Sequence, residues 1–313
     1  MQGRAGAQNG GDIMVDTKVD LCGITIDNPV IPASGTFGYG YEFAELYDIN
    51  CLGTFSFKGT TLDPRFGNET PRIAECPAGM LNSVGLQNPG VDDVIREELP
   101  KLERVFHKPV MANVSGFSVE DYAYTVEQLD SQDQIGWFEV NVSCPNVHGG
   151  GMSFGTSPEA AAEVTAAVRK VTNKPLFIKL SPNVTDIVAI AKACEAAGAD
   201  GISMINTMLG MRIDLKTKRP VIANKMGGFS GPAIKPVAIR MVYQAKNRPL
   251  APLANSSRAM MSPSTSMLYS LVWPTTAWSF SMSPPRKYSR SRVWRDWLIM
   301  EPPPAYFHLP RQG

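Results

Sequence analysis

Residues 137–151 read Trp137-Phe138-Glu139-Val140-Asn141-Val142-Ser143-Cys144-Pro145-Asn146-Val147-His148-Gly149-Gly150-Gly151. The run from Trp137 to Val142 has the length and β-branched content of a buried strand, and Pro145 with the three glycines takes the chain out of it as a loop. Cys144 therefore falls where a strand ends. Asn141, Ser143 and Asn146 surround it with hydrogen-bonding groups that would be costly to leave unpaired in a packed core. The stretch reads as a reactive cysteine beside an amide-lined pocket; a lone cysteine without that setting reads as a small buried hydrophobe.

The same pattern recurs on both sides. Val30–Ala33, Cys51–Lys58, Val110–Val114, Trp137–Ser143, Leu176–Leu180 and Gly201–Ile205 are short apolar runs with small or polar residues at their C-terminal ends. Helical patterns lie between several of them, at Ser118–Leu129, Pro158–Val171 and Val184–Ala197, the last closed by Gly198. Strands alternating with helices predict a parallel sheet. With no GxGxxG after the first strand, the pattern favours a TIM (β/α)8 barrel over a dinucleotide-binding sheet.

Polar residues gather at one end of these strands, where barrel enzymes place their chemistry. They are Ser34; Lys58-Gly59-Thr60-Thr61; Asn113; Asn141 and Cys144; Lys179; and Asn206-Thr207. Lys179, between Ile178 and Leu180, is predicted to point inward, where an unpaired ammonium would be costly. Two inward lysines with few acids nearby suggest an anionic ligand, whether carboxylate, phosphate or reduced flavin. The insert Leu62–Pro100 carries a Gly- and amide-rich run, 79–90, read either as a loop whose backbone approaches a planar polar ligand or as an ordinary Ω-loop. Gly227-Gly228-Phe229-Ser230-Gly231-Pro232 precedes a helical pattern to about Gln244, so its amides could face a phosphate.

Bulk properties bound the rest. The chain has 313 residues, enough for one large α/β barrel or two smaller domains, with 19% charged residues and a net charge of +1. That balance gives no case for a nucleic-acid partner. Five scattered cysteines (Cys22, Cys51, Cys76, Cys144, Cys194) contain no CxxC pair, so neither a disulfide framework nor a metal site is expected, and a reducing cytoplasm fits. No apolar run approaches the ~18 residues needed to span a bilayer. Residues 1–13 are unpatterned and read as a disordered extension ahead of Met14, the expected natural start.

Taken together, Pro32-Ala33-Ser34-Gly35-Thr36, Lys58-Gly59-Thr60-Thr61, Asn82-Ser83-Val84-Gly85-Leu86-Gln87-Asn88, Asn141 to Asn146, Ile205-Asn206-Thr207 and Gly227 to Gly231 resemble, in order and spacing, the class 1 dihydroorotate dehydrogenases. The form of the cysteine loop, followed by Phe154-Gly155-Thr156, is most similar to the class 1B catalytic subunit. The resemblance covers about residues 15–244. It implies an FMN-binding barrel that oxidises dihydroorotate to orotate in pyrimidine synthesis. It also implies that Cys144 is the base at C5 of the substrate while the C6 hydride goes to the flavin. Lys58, Asn82, Ser83, Val84, Gly85, Leu86, Asn141, Asn146, Asn206 and Thr207 would hold the substrate. Ser34, Lys58, Gly59, Asn113, Asn141, Lys179, Ile205 and Gly231 would hold FMN, with Lys179 stabilising negative charge on the reduced ring. In class 1B the electrons leave to NAD through a separate subunit carrying FAD and a 2Fe-2S cluster, around a homodimeric catalytic core. A fumarate-dependent class 1A enzyme and a dihydropyrimidine dehydrogenase are the alternatives within flavin chemistry.

From about residue 246 the family pattern fails. Two further strands, each followed by a glycine-bearing phosphate loop, are expected, yet no glycine occurs between Gly231 and Gly313. The tail has Pro284-Pro285, Pro302-Pro303-Pro304, four of the five tryptophans, and seven basic against two acidic residues after position 250. Its length matches what the missing elements would occupy, so a shifted reading frame near 245–249 is the expected cause. A partner-binding extension, or a membrane-surface segment built on Trp273, Trp278, Phe280, Trp294 and Trp297, would not replace two strands. The expectation is an open barrel of about six strands with exposed edges at the first and sixth, poorly soluble and weak in FMN retention, or catalytically inactive.

Overall fold

The structure, a computed structural model, describes residues 16–143 and 154–247, and the backbone alone of 266–272 and 277–281. A hairpin of β1 (Val19–Leu21) and β2 (Ile24–Ile26), turned by Cys22-Gly23 at positive φ, begins the described chain. It packs Leu21 and Ile26 against Ile31, Met111, Trp137 and Phe177, and the Trp137 indole donates to the Leu21 carbonyl at 2.9 Å. That apolar plug seals the N-terminal end of the strands, leaving the C-terminal end for chemistry.

β3 (Val30–Pro32) is followed by α1 (Tyr41–Ala44). The strand expected at Cys51–Lys58 is shorter than its sequence pattern, because the Asp48 side chain accepts from the Asn50 amide and draws Ile49–Cys51 into a 3-10 turn. Residues 53–57 keep strand pairing on both sides: Gly53 and Ser56 amides donate to Val30 and Pro32 carbonyls, while the Phe57 amide donates to the Met111 carbonyl and the Met111 amide to the Phe55 carbonyl. The insert holds β4 (Ile73–Cys76), β5 (Gly79–Asn82), α2 (Val91–Asp93) and α3 (Leu99–Glu103).

The repeating part then runs β6 (Val110–Val114), α4 (Val119–Asp130), β7 (Ile135–Asn141), α5 (Pro158–Val171), β8 (Leu176–Lys179), α6 (Ile187–Ala196) and β9 (Gly201–Met204). Local chemistry explains the boundaries. Ser118 and Asp121 form a reciprocal capping box, Ser157 caps α5 with Pro158 in its first turn, and Asp186 accepts from two amides of α6. Each helix buries one stripe, for example Tyr122, Thr125, Val126 and Leu129 on α4, against strands buried on both faces.

After β9 come β10 (Met208–Met211), β11 (Ile213–Asp214), β12 (Arg219–Pro220), β13 (Met226–Ser230) and α7 (Lys235–Lys246). β10, β13, β5 and β4 pair in that order as an antiparallel sheet over the mouth. Gly79–Asn82 and Gly227–Ser230 are therefore paired strands, where a ligand loop and a phosphate turn were expected. Their glycines serve close packing: a Cβ at Gly228 would lie 2.0 Å from Thr207 Oγ1.

β14 (Ser266–Val272) and β15 (Ala277–Ser281) correct the expected open edges. β14 runs parallel to β9, while β15 is antiparallel to both β14 and β3, giving the order β3-β15-β14-β9-β8-β7-β6. With residues 53–57 bridging β3 and β6, the ring closes. Six places hold family-like strands, and a hairpin fills the other two in place of two β/α units. The unsatisfied edge groups of β3 and β9 provide the physical reason, since any strand-forming segment can pair with them.

Candidate active site

The mouth is built from strand ends in register. Asn113 pairs with Glu139 and Asn141 with Lys179, so adjacent strands bring amide, carboxylate and ammonium to neighbouring positions. Asn113, Glu139, Asn141 and Lys179 are all buried. Glu139 Oε2 accepts from Ser56 Oγ at 2.8 Å and Asn113 Nδ2 at 2.6 Å, and Oε1 accepts from Ser203 Oγ at 2.5 Å. Lys179 Nζ lies 3.7 Å from Oε2. Burial pushes the Glu139 carboxyl up, but the Lys179 ammonium and the three donors together outweigh it and hold the group below the usual carboxylate range.

Above this layer the amides form a chain. Asn206 Nδ2 donates to Ser143 Oγ at 2.5 Å and to Asn141 Oδ1 at 3.2 Å, and Asn206 Oδ1 accepts from the Thr207 amide at 2.8 Å. Ser143 Oγ donates to Asn141 Oδ1 at 2.8 Å. Thr207 abuts Gly228, whose carbonyl accepts from Asn82 Nδ2 at 3.4 Å. Asn82, Asn141, Ser143, Asn206 and Thr207 thus meet on one side of the mouth, with the Ile205 side chain buried beneath.

The loop that follows β5 is held by Asn68 and Asn224, which the sequence did not mark out, and by Asn88 of the family-like run. Asn68 Nδ2 donates to the Ser83 carbonyl at 3.0 Å, Asn224 Nδ2 to Ser83 Oγ at 2.9 Å, and Asn88 Nδ2 to the Leu86 carbonyl at 2.7 Å. The Val84 carbonyl accepts from the Asn68 amide. Gly85 has φ +78°, and a Cβ there would strike the Asn68 amide at 2.6 Å. Leu86 also adopts a left-handed φ of 59°.

Gly59 touches Asn113: a Cβ on it would lie 2.7 Å from Asn113 Oδ1. Lys58 lines a cleft of about 510 Å³ together with Arg65, Gln87, Asn88, Tyr41 and Glu98. Ser34 is half-buried just past β3, and Gly231, with φ +121°, packs against the turn before β5, where a Cβ would meet Gly79 Cα at 2.6 Å. Gly231 is thus engaged in packing the small sheet. Cys144 and Asn146 lie outside the described residues. Glu139, Ser56, Ser203, Asn68 and Asn224 escaped the sequence reading; a charged residue alternating with Asn141 inside an apolar strand was the one available signal.

A barrel parallel in all strands but β15, with a lysine, a buried carboxylate and converging carboxamides at its C-terminal mouth, defines a barrel enzyme that binds a polar, hydrogen-bonding ring. The profile of the family described as dihydroorotate dehydrogenase matches residues 16–251. The chain is 54% identical over 235 residues to the catalytic subunit of dihydroorotate dehydrogenase B (NAD(+)) of Geobacillus kaustophilus, covering 75% of each chain. It is 57% identical over 226 residues to that of Enterococcus faecalis, covering 72% of each. Its fold is similar to the crystal structure of ligand-free dihydroorotate dehydrogenase from Eimeria tenella, with a TM-score of 0.59, 21% identity, and 74% and 73% of the two chains covered. The chain belongs to the dihydroorotate dehydrogenase family, FMN-dependent oxidoreductases of pyrimidine biosynthesis.

The described residues suit the ring of FMN. The Lys179 ammonium lies 3.7 Å from Glu139 Oε2 and brings a cation with three donors to the mouth, the chemistry that a ring gathering negative charge calls for. Gly59 leaves open the space beside Asn113 Oδ1 that a Cβ would fill.

Proposed function

We propose that the amide cluster of Asn82, Asn141, Asn206 and Thr207 binds dihydroorotate, with Lys58, Asn146 and the loop Ser83-Val84-Gly85-Leu86 completing the site. The observation that carries this reading is the Asn206 amide bonded to both Asn141 and Ser143, immediately before Cys144. Carboxamides present paired donors and acceptors, which suit the ring amides and carboxylate of that substrate. Cys144 Sγ takes the proton from C5. A free thiol titrates near ~8.5, so turnover rises with pH through that range unless neighbours lower it. FMN supplies the hydride acceptor. Lys179, Lys58, Asn113, Asn141, Gly59, Ser34, Ile205 and Gly231 would hold it, and Lys179 would offset negative charge gathered on the ring.

The relatives' names, which give NAD(+) and a catalytic subunit, support a separate partner subunit with NAD as acceptor, and that subunit would carry FAD and a 2Fe-2S cluster in the same reading. Among the described residues no group of three metal-ligating side chains occurs and no helix is long and apolar enough to cross a membrane. A cytoplasmic homodimer is part of the same reading. Leu209, Met211 and Met226, about half exposed, share one face of the β10–β13 ladder, an apolar patch suited to a second copy. Met211→Glu should shift a dimer towards monomer in sedimentation analysis.

The unmatched quarter supports a shifted reading frame near 245–249, because both this chain and its relatives leave about a quarter of their lengths unpaired. Three sequence units follow: an extension before residue 14, a family-like segment to about 245, and the replaced tail, whose β14 and β15 complete the ring. Without family-like phosphate loops, FMN binds weakly. Anaerobic bleaching of the full chain supplied with excess FMN, by dihydroorotate and not by dihydrouracil, tests the activity. No bleaching by the full chain, restored by a family-type C-terminal quarter, identifies the tail as the lesion. No bleaching in either form refutes the substrate reading.

A further inference from the structure

Side chains from four strands converge on one carboxylate carried by a fifth, β7. Ser56, Asn113 and Ser203 donate to Glu139 from the 53–57 segment, β6 and β9, and Lys179 approaches it from β8. Glu139 is 1% exposed, one layer below Asn141 on the same inward face of β7. Barrel layers are ordinarily filled with branched apolar side chains, and replacing a buried ion pair by such residues is often neutral or stabilising. A charge retained here calls for a reason beyond stability. The contacts supply one. Binding Glu139 through Nδ2 fixes the flip of Asn113, so that Oδ1 faces Gly59 as an acceptor at the mouth. The same carboxylate is the countercharge of the ammonium of Lys179, the register partner of Asn141.

We infer that Glu139 is a positioning residue for the cofactor end of the site, holding the Lys179 ammonium and the Asn113 amide in the orientation in which they meet a flavin ring. The inference rests on the flavin reading of Lys179. It assigns Glu139 no contact with substrate or flavin. Its effect is carried by Lys179, which keeps its place beside the carboxylate, and by Asn113, which cannot rotate without losing its bond.

The test uses the full chain and a readout confined to Lys179. Acetylation by a water-soluble N-hydroxysuccinimide ester is followed by peptide mass spectrometry, with the exposed Lys192 as internal reference. In Glu139→Gln the shape and most hydrogen bonds persist but the countercharge is gone. Lys179 should then react about tenfold faster relative to Lys192, the order expected when a buried ammonium loses its anion. Glu139→Asp, which withdraws the carboxylate by one methylene, should show a smaller rise and serves where the Gln variant does not fold. An unchanged Lys179 rate, or an equal rise at every lysine, overturns the inference. Protection of wild-type Lys179 by added FMN separately tests the flavin reading: without protection that reading fails, whatever the Glu139 variants show.

Discussion

Replacing Lys179 by Met removes the cation 3.7 Å from Glu139 and leaves a carboxylate that is 1% exposed with hydroxyl and amide donors alone. Breaking one side of a buried pair costs about 3–5 kcal/mol, and the three retained hydrogen bonds place this site near the lower figure. Its pH dependence identifies the cause. In the wild type the Glu139 carboxyl titrates below its unfolded value, so its contribution is complete above the ordinary carboxylate range and is lost as pH falls through the lowered folded value. In Lys179→Met the downward pull of the cation is gone while burial, the largest single influence, and the hydrogen bonds remain, so the carboxyl moves up from its wild-type position. The deficit relative to wild type is therefore greatest near neutrality and shrinks below about pH 5, as the buried group takes a proton instead of carrying an unbalanced charge. Urea unfolding followed by far-ultraviolet circular dichroism at pH 7 and pH 4.5 measures both. A neutral-pH deficit under ~1 kcal/mol, or one equal at the two pH values, would refute the assignment of Lys179 and Glu139 as an energetically coupled pair.

Asn206→Ala deletes the amide that bonds Asn141 and Ser143; dihydroorotate-dependent flavin reduction should fall about 10–100-fold, the equivalent of one or two lost site hydrogen bonds. Gly228→Ala forces a methyl group to within 2.0 Å of Thr207 Oγ1, so the melting curve should show about 1–3 kcal/mol of destabilisation together with weakened substrate binding. Ser118→Ala breaks the capping box of α4 and should cost about 1 kcal/mol in urea titration. Burial pushes the Cys194 thiol up to about 11, so at pH 8 a disulfide reagent should modify the exposed Cys51 readily and Cys194 only after unfolding.

The repeating strands and helices were legible because each carries its own local signal. Val110–Val114 and Pro158–Val171 match the structure to the residue, since a continuous apolar run and a Ser-Pro start with a 3.6-residue stripe need no tertiary information. Cys51 went astray because Asp48 bends the chain through one hydrogen bond that an apolar run does not reveal. Gly79–Asn82 and Gly227–Ser230 read as loops because glycine is a turn signal, whereas here its missing Cβ lets strands approach Thr207 and Asn82. At the site, Asn141, Asn206 and Lys179 stood out by position, but Asn68, Asn224 and Ser203 act through partners far away in sequence. The tail strands passed unnoticed since Ser266–Val272 and Ala277–Ser281 lie among prolines and serines without intervening helices, and what recruits them is the vacancy beside β3 and β9.

The antiparallel direction of β15 changes more than the pairing. In a fully parallel barrel every strand points its carboxyl end at the catalytic rim, so two successive β/α units visit that rim twice. A hairpin runs up to the rim along β14 and back from it along β15, so the second of these strands ends at the plugged end. The eighth stave completes the wall, but it brings no second crossing of the rim from which a phosphate-holding loop could be drawn.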